Sequence, residues 1–358
     1  MTTFLRVGLL GSLLCLSGCA TRLGPGTIKN AHRPYNDSVV QTLNEQLLLN
    51  LVRLKYRDNP YFIEVSSITA QQTLETTAAA SGSLPFITSK LRDIGVGGGV
   101  LYSDSPTIAF QPLQGEDFLK KLMAPIPMEG LLKLTQSGWS VSRVFRIAVE
   151  QANHLHNAPS ASGPTPEDPP EYEDFKNLSL QLRELQKKQA LDVVLEGEEV
   201  AILFDESRVP SADRRRLISI LGGDPGRNYV VVSARPRSQR DSDEVYLQTR
   251  SLIGALFFLS HNVEVPEEHI KKGLVTVTKN PDGSEFDWCD VSGDLMSVKN
   301  SPTPPTNAFV KVHYRGTWFY VPDNDLKSKS TFMLISQLFN LLAGDVKQAA
   351  PVLTIPVR

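Results

Sequence analysis

The first twenty residues constrain this chain more than any other stretch. A single basic residue, Arg6, precedes the apolar run Val7 to Leu16, and ten residues reach only about 15 Å as a helix, half of a hydrocarbon core of roughly 30 Å. The run reads as an export signal and not as a membrane-crossing helix. The chain beyond it must therefore fold as a globular body after export. About 340 residues remain for that, enough for one large or two ordinary domains with their own core.

The 37 basic residues nearly balance the 39 acidic ones, so no excess of positive charge points to nucleic acid as a partner. Of the three cysteines, Cys15 lies within the signal and Cys19 at its end, which leaves Cys289 with no partner for an intrachain disulfide. Cys289 sits beside Trp288 and reads as a buried small residue.

The signal ends in Leu16-Ser17-Gly18-Cys19, which resembles the lipobox of bacterial lipoproteins: an aliphatic residue, two small ones, then the cysteine that is lipidated and becomes the new N-terminus. The resemblance implies a diacylglycerol, and with it palmitate-type chains, on Cys19. At about 0.8 kcal/mol per buried methylene, two chains anchor a protein where one does so only marginally. The retention signal of the family, an aspartate after the cysteine, is replaced by Ala20, which implies the outer membrane of a Gram-negative cell. The expected organisation is a signal peptide over 1–18, a tether over 19–35, an N-terminal α+β region over 36–156, a proline-rich linker over 157–171 and a C-terminal α+β region over 172–358.

Within the N-terminal region, a helix starts at Asn36 or Asp37, and Val40, Leu43, Leu47, Leu51 and Leu54 form its apolar stripe, with Arg53, Lys55 and Arg57 at its C-terminal pole. The stretch Ser66 to Ser81 reads as a weakly amphipathic helix. Ile94 to Tyr102 and Thr107 to Leu113 read as two strands of a hairpin joined at Ser103-Asp104-Ser105-Pro106. Gly95 and Gly97 to Gly99 lack the Lys-Ser or Lys-Thr of a phosphate loop and mark close backbone approach instead. A helical layer follows over Gly115–Met123, Met128–Gln136 and Ser140–His154.

Six residues of the stretch 157–171 are proline or glycine, with almost nothing apolar, the composition of a linker or surface excursion. Beyond it come a helix over Tyr172–Gln189, strands at Leu191–Glu196, Val200–Phe204 and Asn228–Ala234, and a helix over Ser211–Leu221 stopped by Gly222-Gly223. Gln248 to His261 is apolar around most of its circumference and predicts a central buried helix. Strands at Leu274–Lys279 and Leu295–Lys299, a hairpin of Phe309–Tyr314 and Thr317–Val321 turning at Arg315-Gly316, a long helix ending at Gly344 and a terminal strand over Val352–Val357 complete the chain. The fold class is α+β: an N-terminal helix, a β-hairpin and a helical layer, then a mixed or antiparallel sheet covered by a buried helix and a long C-terminal helix.

Candidate chemistry is sparse. Asp205-Glu206 at a strand exit is the best carboxylate pair for acid and base work, but adjacent strand residues face opposite ways and favour a turn or cap role. His261, Glu264, Glu267, Glu268 and His269 form the most metal-like cluster, yet Pro266 splits it and the two-histidine helical pattern of zinc peptidases is missing. His154 and His156 diverge at a helix end. Arg235, Arg237 and Arg240 suit an anionic group, though a solvated loop accounts for them first, and Tyr314, Trp318 and Tyr320 read as ordinary sheet packing before an exposed recognition surface, with Trp318 and Tyr320 on one strand face and Phe319 on the other. No catalytic residue, metal site or cofactor is assigned.

The strings from Asn44 to Arg57 and from Pro60 to Ser67, together with Gln114-Gly115-Glu116-Asp117-Phe118, Gln136-Ser137-Gly138-Trp139 and Gly316-Thr317-Trp318-Phe319-Tyr320, resemble a group of proteobacterial envelope proteins. The likeness covers most of the chain after the signal and implies no activity. The expectation is a lipid-anchored outer-membrane protein with a non-catalytic structural or interaction role, tied to the membrane through Cys19 and meeting an envelope protein partner. The alternatives are an envelope hydrolase acting on cell-wall glycan or peptide, and a binder of glycan or a small ligand.

Overall fold

The computed structural model describes residues 25–69, 72–81, 95–104, 107–196, 199–234 and 244–343. The chain divides into two compact units, the first built from the segment up to Tyr61 together with Gly115–Val346, the second from Phe62–Gln114 and Lys347–Arg358.

The first unit begins with α1, Pro25–Lys55, a helix of 31 residues. It starts well before Asn36, so the helix runs across the greater part of the stretch expected as a tether. Proline suits a first helical turn, where its missing N–H has no intrahelical acceptor, and the helix tolerates Pro34 in its interior. The predicted stripe divides into two parts. Leu48, Leu51, Val52 and Leu54 are buried, whereas Val40 and Leu43 remain exposed. The helix stops where Arg57 takes a left-handed φ of 59° and the Asp58 N–H returns to the Arg53 carbonyl at 2.8 Å.

A helical layer follows: α2 Glu116–Met123, α3 Met128–Gln136 and α4 Val141–Ala148. Ser140 caps α4 by accepting the Arg143 N–H, and Val141, Val144, Ile147 and Ala148 are buried. The chain then runs into β5 Val149–Ala152 and β6 Leu155–His156, and later adds α5 Glu173–Lys187, β7 Leu191–Glu196, β8 Glu199–Phe204, α6 Ser211–Leu221, β9 Tyr229–Ser233 and β10 Val245–Thr249. These strands make one sheet in the order β6-β5-β10-β9-β8-β7. Only β9 and β10 pair in parallel among its described strands, so the sheet is mixed. Leu131, Leu132 and Thr135 of α3 meet Val193, Val200, Ile202, Val232 and Leu247 of the sheet in an apolar layer.

The central buried helix is α7, Leu252–Ser260, capped by Ser251 and with Leu252, Ala255, Leu256, Phe258 and Leu259 buried. It is shorter than Gln248–His261, because β10 claims the residues up to Thr249 for the sheet. After α8, Glu267–Lys271, the segment expected as a strand over Leu274–Lys279 has no ladder, only a bridge from Lys279 to Glu285 around the predicted turn. The strand expected over Leu295–Lys299 is displaced to β11, Lys299–Ser301. The hairpin is where the sequence puts it: β12 Ala308–Tyr314 and β13 Thr317–Pro322, with Arg315 and Gly316 at φ of 49° and 82°, the paired left-handed turn that matches strand twist. The long helix α9, Leu326–Ala343, lays Phe332, Leu334, Ile335 and Leu338 into the core with Val310, Phe319 and Val321. The predicted terminal strand lies outside the described residues.

The proline-rich stretch 157–171 is not a free linker. Ala158 and Ala161 are fully buried, Pro159–Ser162 form a single turn of 3-10 helix, and the Ala158 N–H bonds to the Glu171 carbonyl at 2.7 Å. The reason lies 90 residues away in sequence, in Arg250. Its guanidinium is buried, donates to the carbonyls of Arg146 (3.1 Å), Val149 (2.7 Å) and Asn157 and to Ser162 Oγ (3.0 Å), and lies 4.1 Å from the centroid of the Phe258 ring. Burial lowers its pKa to about 9, which leaves it charged at neutral pH. A second buried arginine, Arg146, makes both arms of a fork to Asp294 at 2.6 Å.

The second unit corrects two expectations. Ser66 to Ser81 contributes strands, β1 Ile63–Thr69 and β2 Gln72–Ser81, because its run of threonines favours a pleated surface over a helix. The strands β3 Gly95–Asp104 and β4 Thr107–Pro112 exist, but not as a hairpin with each other: β3 pairs with β2, and β4 with β1, all antiparallel.

Replacing Arg250 by methionine keeps the apolar stem but leaves several buried carbonyls without a donor. The expected loss is on the order of 4 kcal/mol in chemical denaturation, with Arg250→Lys recovering only part because one ammonium does not reproduce the guanidinium fork.

Candidate functional site

The end of α1 and the exit of α7 enclose a cavity of about 240 Å³, whose wall includes Lys55, His261, Val265, Val277, Trp288 and Cys289. Lys55 is the last residue of α1, and its buried ammonium donates to the His261 carbonyl at 3.1 Å. Burial lowers its pKa to about 8. The His261 imidazole stacks on the Trp288 indole with centroids 4.2 Å apart. Its Nε2 lies 3.0 Å from the Ala161 carbonyl, which can only accept, so Nε2 carries the proton and Nδ1 accepts from the Thr165 hydroxyl at 3.3 Å. Burial first, and the neighbouring Lys55 charge second, push the His261 pKa down to about 3.

His261 is neutral and engaged on both nitrogens. Cys289 is exposed and not the buried small residue the sequence suggested, because Trp288 takes the inward position beside it. Partial desolvation raises its thiol pKa, and the hydrogen bond to Asp287 raises it further, which disfavours the thiolate a nucleophile needs. The polar groups on its lining include the Lys55 ammonium and the buried Asn262 Oδ1, which has no hydrogen-bond partner, together with Glu264, Glu285 and Asp287. A donor and an acceptor beside Val263, Val265, Ile270 and Val277 suit a small polar group with an apolar body.

The residues singled out in the sequence are distributed differently. His269 shares a 2.6 Å hydrogen bond with the Tyr56 hydroxyl, Glu267 and Glu268 pair with Lys271 and Lys272, and Glu264 pairs with Lys299. Among the described residues no group of three metal-type ligands forms. Asp205 accepts the Ser207 N–H (2.9 Å) and hydroxyl (2.6 Å), which lower its pKa, while Glu206 turns to Arg214. His154 and His156 do not converge on a shared partner, and the latter approaches Glu171 at 3.7 Å.

Tyr314, Trp318 and Tyr320 do not make one platform. Trp318 and Tyr320 share the half-buried face of β13, where Trp318 meets His313 and Lys311, and Phe319 is buried on the other face. Tyr314 instead donates to Asp58 at 2.5 Å, beside the Arg315–Asp58 ion pair at 2.8 Å, and so fastens the hairpin to the end of α1. Arg235, Arg237 and Arg240 lie outside the described residues. Lys55 is the site residue that sequence reasoning missed. Its signal was present, since it stands four residues after Leu51 on the buried stripe.

Comparison with known protein families, curated proteins and solved structures finds no match to this chain.

The neutral His261 makes stability depend on acid. Unfolded, the imidazole takes a proton below a pKa of about 6.5, whereas folded it resists down to about 3, so stability falls as pH drops through that window. Denaturation midpoints measured between pH 6.5 and 5, above most carboxylate titrations, should decline in the parent and flatten in His261→Gln.

Proposed function

We propose that this protein is a non-catalytic component of the bacterial outer membrane, held there by lipid on Cys19 and working through contacts with other envelope protein. The observation that carries the reading is the pairing of a lipobox-like signal end with a second unit of antiparallel strands. Leu16-Ser17-Gly18-Cys19 supplies an anchor that needs no membrane-crossing helix, and no helix among the described residues is long and apolar enough to be one. The strands β1 to β4 supply the contact surface: Ile108 and Phe110 are 42% and 57% exposed, apolar groups in a position where a partner would bury them.

The mass of the mature N-terminal peptide should include a diacylglycerol on Cys19, and Cys19→Ser should move the protein from the outer-membrane fraction to a carbonate-soluble one. Crosslinking and pulldown from membranes should recover a defined envelope complex. An unmodified N-terminus with unchanged membrane retention would remove the anchor, and a solitary protein would remove the contact role.

A further inference from the structure

A buried lysine ammonium ordinarily lies against a carboxylate, because an unpaired charge out of water is costly. Lys55 is only 8% exposed, yet among the described residues its hydrogen-bond partner is the His261 carbonyl and no carboxylate pairs with it. Burial alone lowers its pKa, with no neighbouring anion to offset the effect. An ammonium carries three donors, so part of its capacity remains for whatever occupies the cavity. The residue after His261 has the opposite deficit. Asn262 is 6% exposed, its amide N–H donates to Ser292 Oγ, and its Oδ1 is buried with no donor.

The rest of the lining sets the charge and the size of an occupant. Glu264, Glu285 and Asp287 are exposed, whereas Lys55, His261 and Trp288 are buried, so the charge passes from one cation at the closed end to carboxylates at the open end. Lys299 matches Glu264, and among the described residues Glu285 and Asp287 have no ion-pair partner. A plain anion is repelled at that rim, a dianion such as a phosphate ester more so, and a plain cation meets Lys55 inside. A zwitterion satisfies both ends. At about 30 Å³ per water, the 240 Å³ of the cavity is the space of about eight waters, room for a molecule of about nine non-hydrogen atoms.

We infer that this cavity binds a free aliphatic α-amino acid, with its carboxylate on the Lys55 ammonium, its α-ammonium toward Asn262 Oδ1 and the acidic rim, and its side chain against Val263, Val265, Ile270 and Val277. The carboxylate supplies the counter-charge that Lys55 lacks, and the α-ammonium supplies the donor that Asn262 lacks. One ligand thus closes both deficits with charge-assisted hydrogen bonds. The neighbouring rings do not compete for it. Trp288 Nε1 donates to Thr278 Oγ1 at 3.1 Å, and both His261 nitrogens are engaged by Ala161 and Thr165. Binding breaks no covalent bond, so the site fits a non-catalytic protein, and it stands on the cavity alone, independent of the Cys19 anchor.

Isothermal titration calorimetry of the full chain, purified from membranes in detergent, tests this with three probes: L-leucine, 4-methylpentanoate, which lacks the ammonium, and 3-methylbutylamine, which lacks the carboxylate. L-Leucine should bind about tenfold or more tightly than either fragment. At pH 8 its binding should take up as much as about half a proton, read from two buffers of different ionisation enthalpy, because the carboxylate raises a Lys55 pKa that starts at about 8. His261, pushed down to about 3, stays neutral, and the raised pKa of the Cys289 thiol keeps it protonated, so neither adds to that uptake. Lys55→Met should keep the parent's near-ultraviolet dichroism but lose both the binding and the proton uptake. Val277→Phe, which fills the cavity without touching either polar group, should lose the binding too. No heat with L-leucine at millimolar concentration, either fragment binding as tightly as L-leucine, or a variant that folds and keeps the parent's affinity would each overturn the site.

Discussion

Every backbone N–H and C=O taken out of water must find a partner. In the first unit, a stretch rich in proline, which cannot join a ladder as a donor, is drawn into the core because Arg250 supplies donors to the carbonyls around it. The guanidinium joins the end of α4, β5, the turn at Pro159–Ser162 and the Phe258 ring of α7. It bonds Ser162, the residue after Ala161, and the Ala161 carbonyl receives the His261 hydrogen bond, so the cavity beside Lys55 adjoins the same clamp.

Much of the first unit was legible in the sequence because its signals are local. The Arg315-Gly316 hairpin follows from a turn that wants two left-handed residues, the helix over Ser211–Leu221 from a stop at Gly222, and the buried α7 from apolar residues on all sides. What was not legible depends on distant partners. The 157–171 stretch has a linker's composition, and only Arg250, far along the chain, makes it a buried wall. The extension of α1 back to Pro25 has no apolar period to announce it. The strands of Ser66–Ser81 were hidden because threonine and alanine carry no strong period of either kind, and the pairing of β3 with β2 instead of β4 cannot be read from a turn signal at Ser103–Pro106.

The candidate site shows the same division. Asp205-Glu206 was legible as a turn, since adjacent strand residues diverge, and the split at Pro266 foretold that the histidines and glutamates after α7 would not converge. Lys55 was hidden by its charge. A lysine at the end of a helix ordinarily serves the carbonyl pole in solvent, yet here it continues the buried stripe of Leu48 and Leu51 into a cavity. Tyr314 was read with Trp318 and Tyr320 as one aromatic group, and the contact that separates them, to Asp58 beyond the end of α1, joins residues more than 250 apart.

The Arg250 clamp is where the account stands or falls, because one guanidinium explains why a proline-rich stretch is buried beside α4 and β5. Amide hydrogen exchange over residues 157–171 in Arg250→Met tests this directly. The clamp predicts that Ala158 and Ala161, whose N–H groups bond to the Glu171 and Ala158 carbonyls, lose their protection while the amides of β8 keep theirs. Protection at Ala158 and Ala161 equal to that of the parent would contradict it.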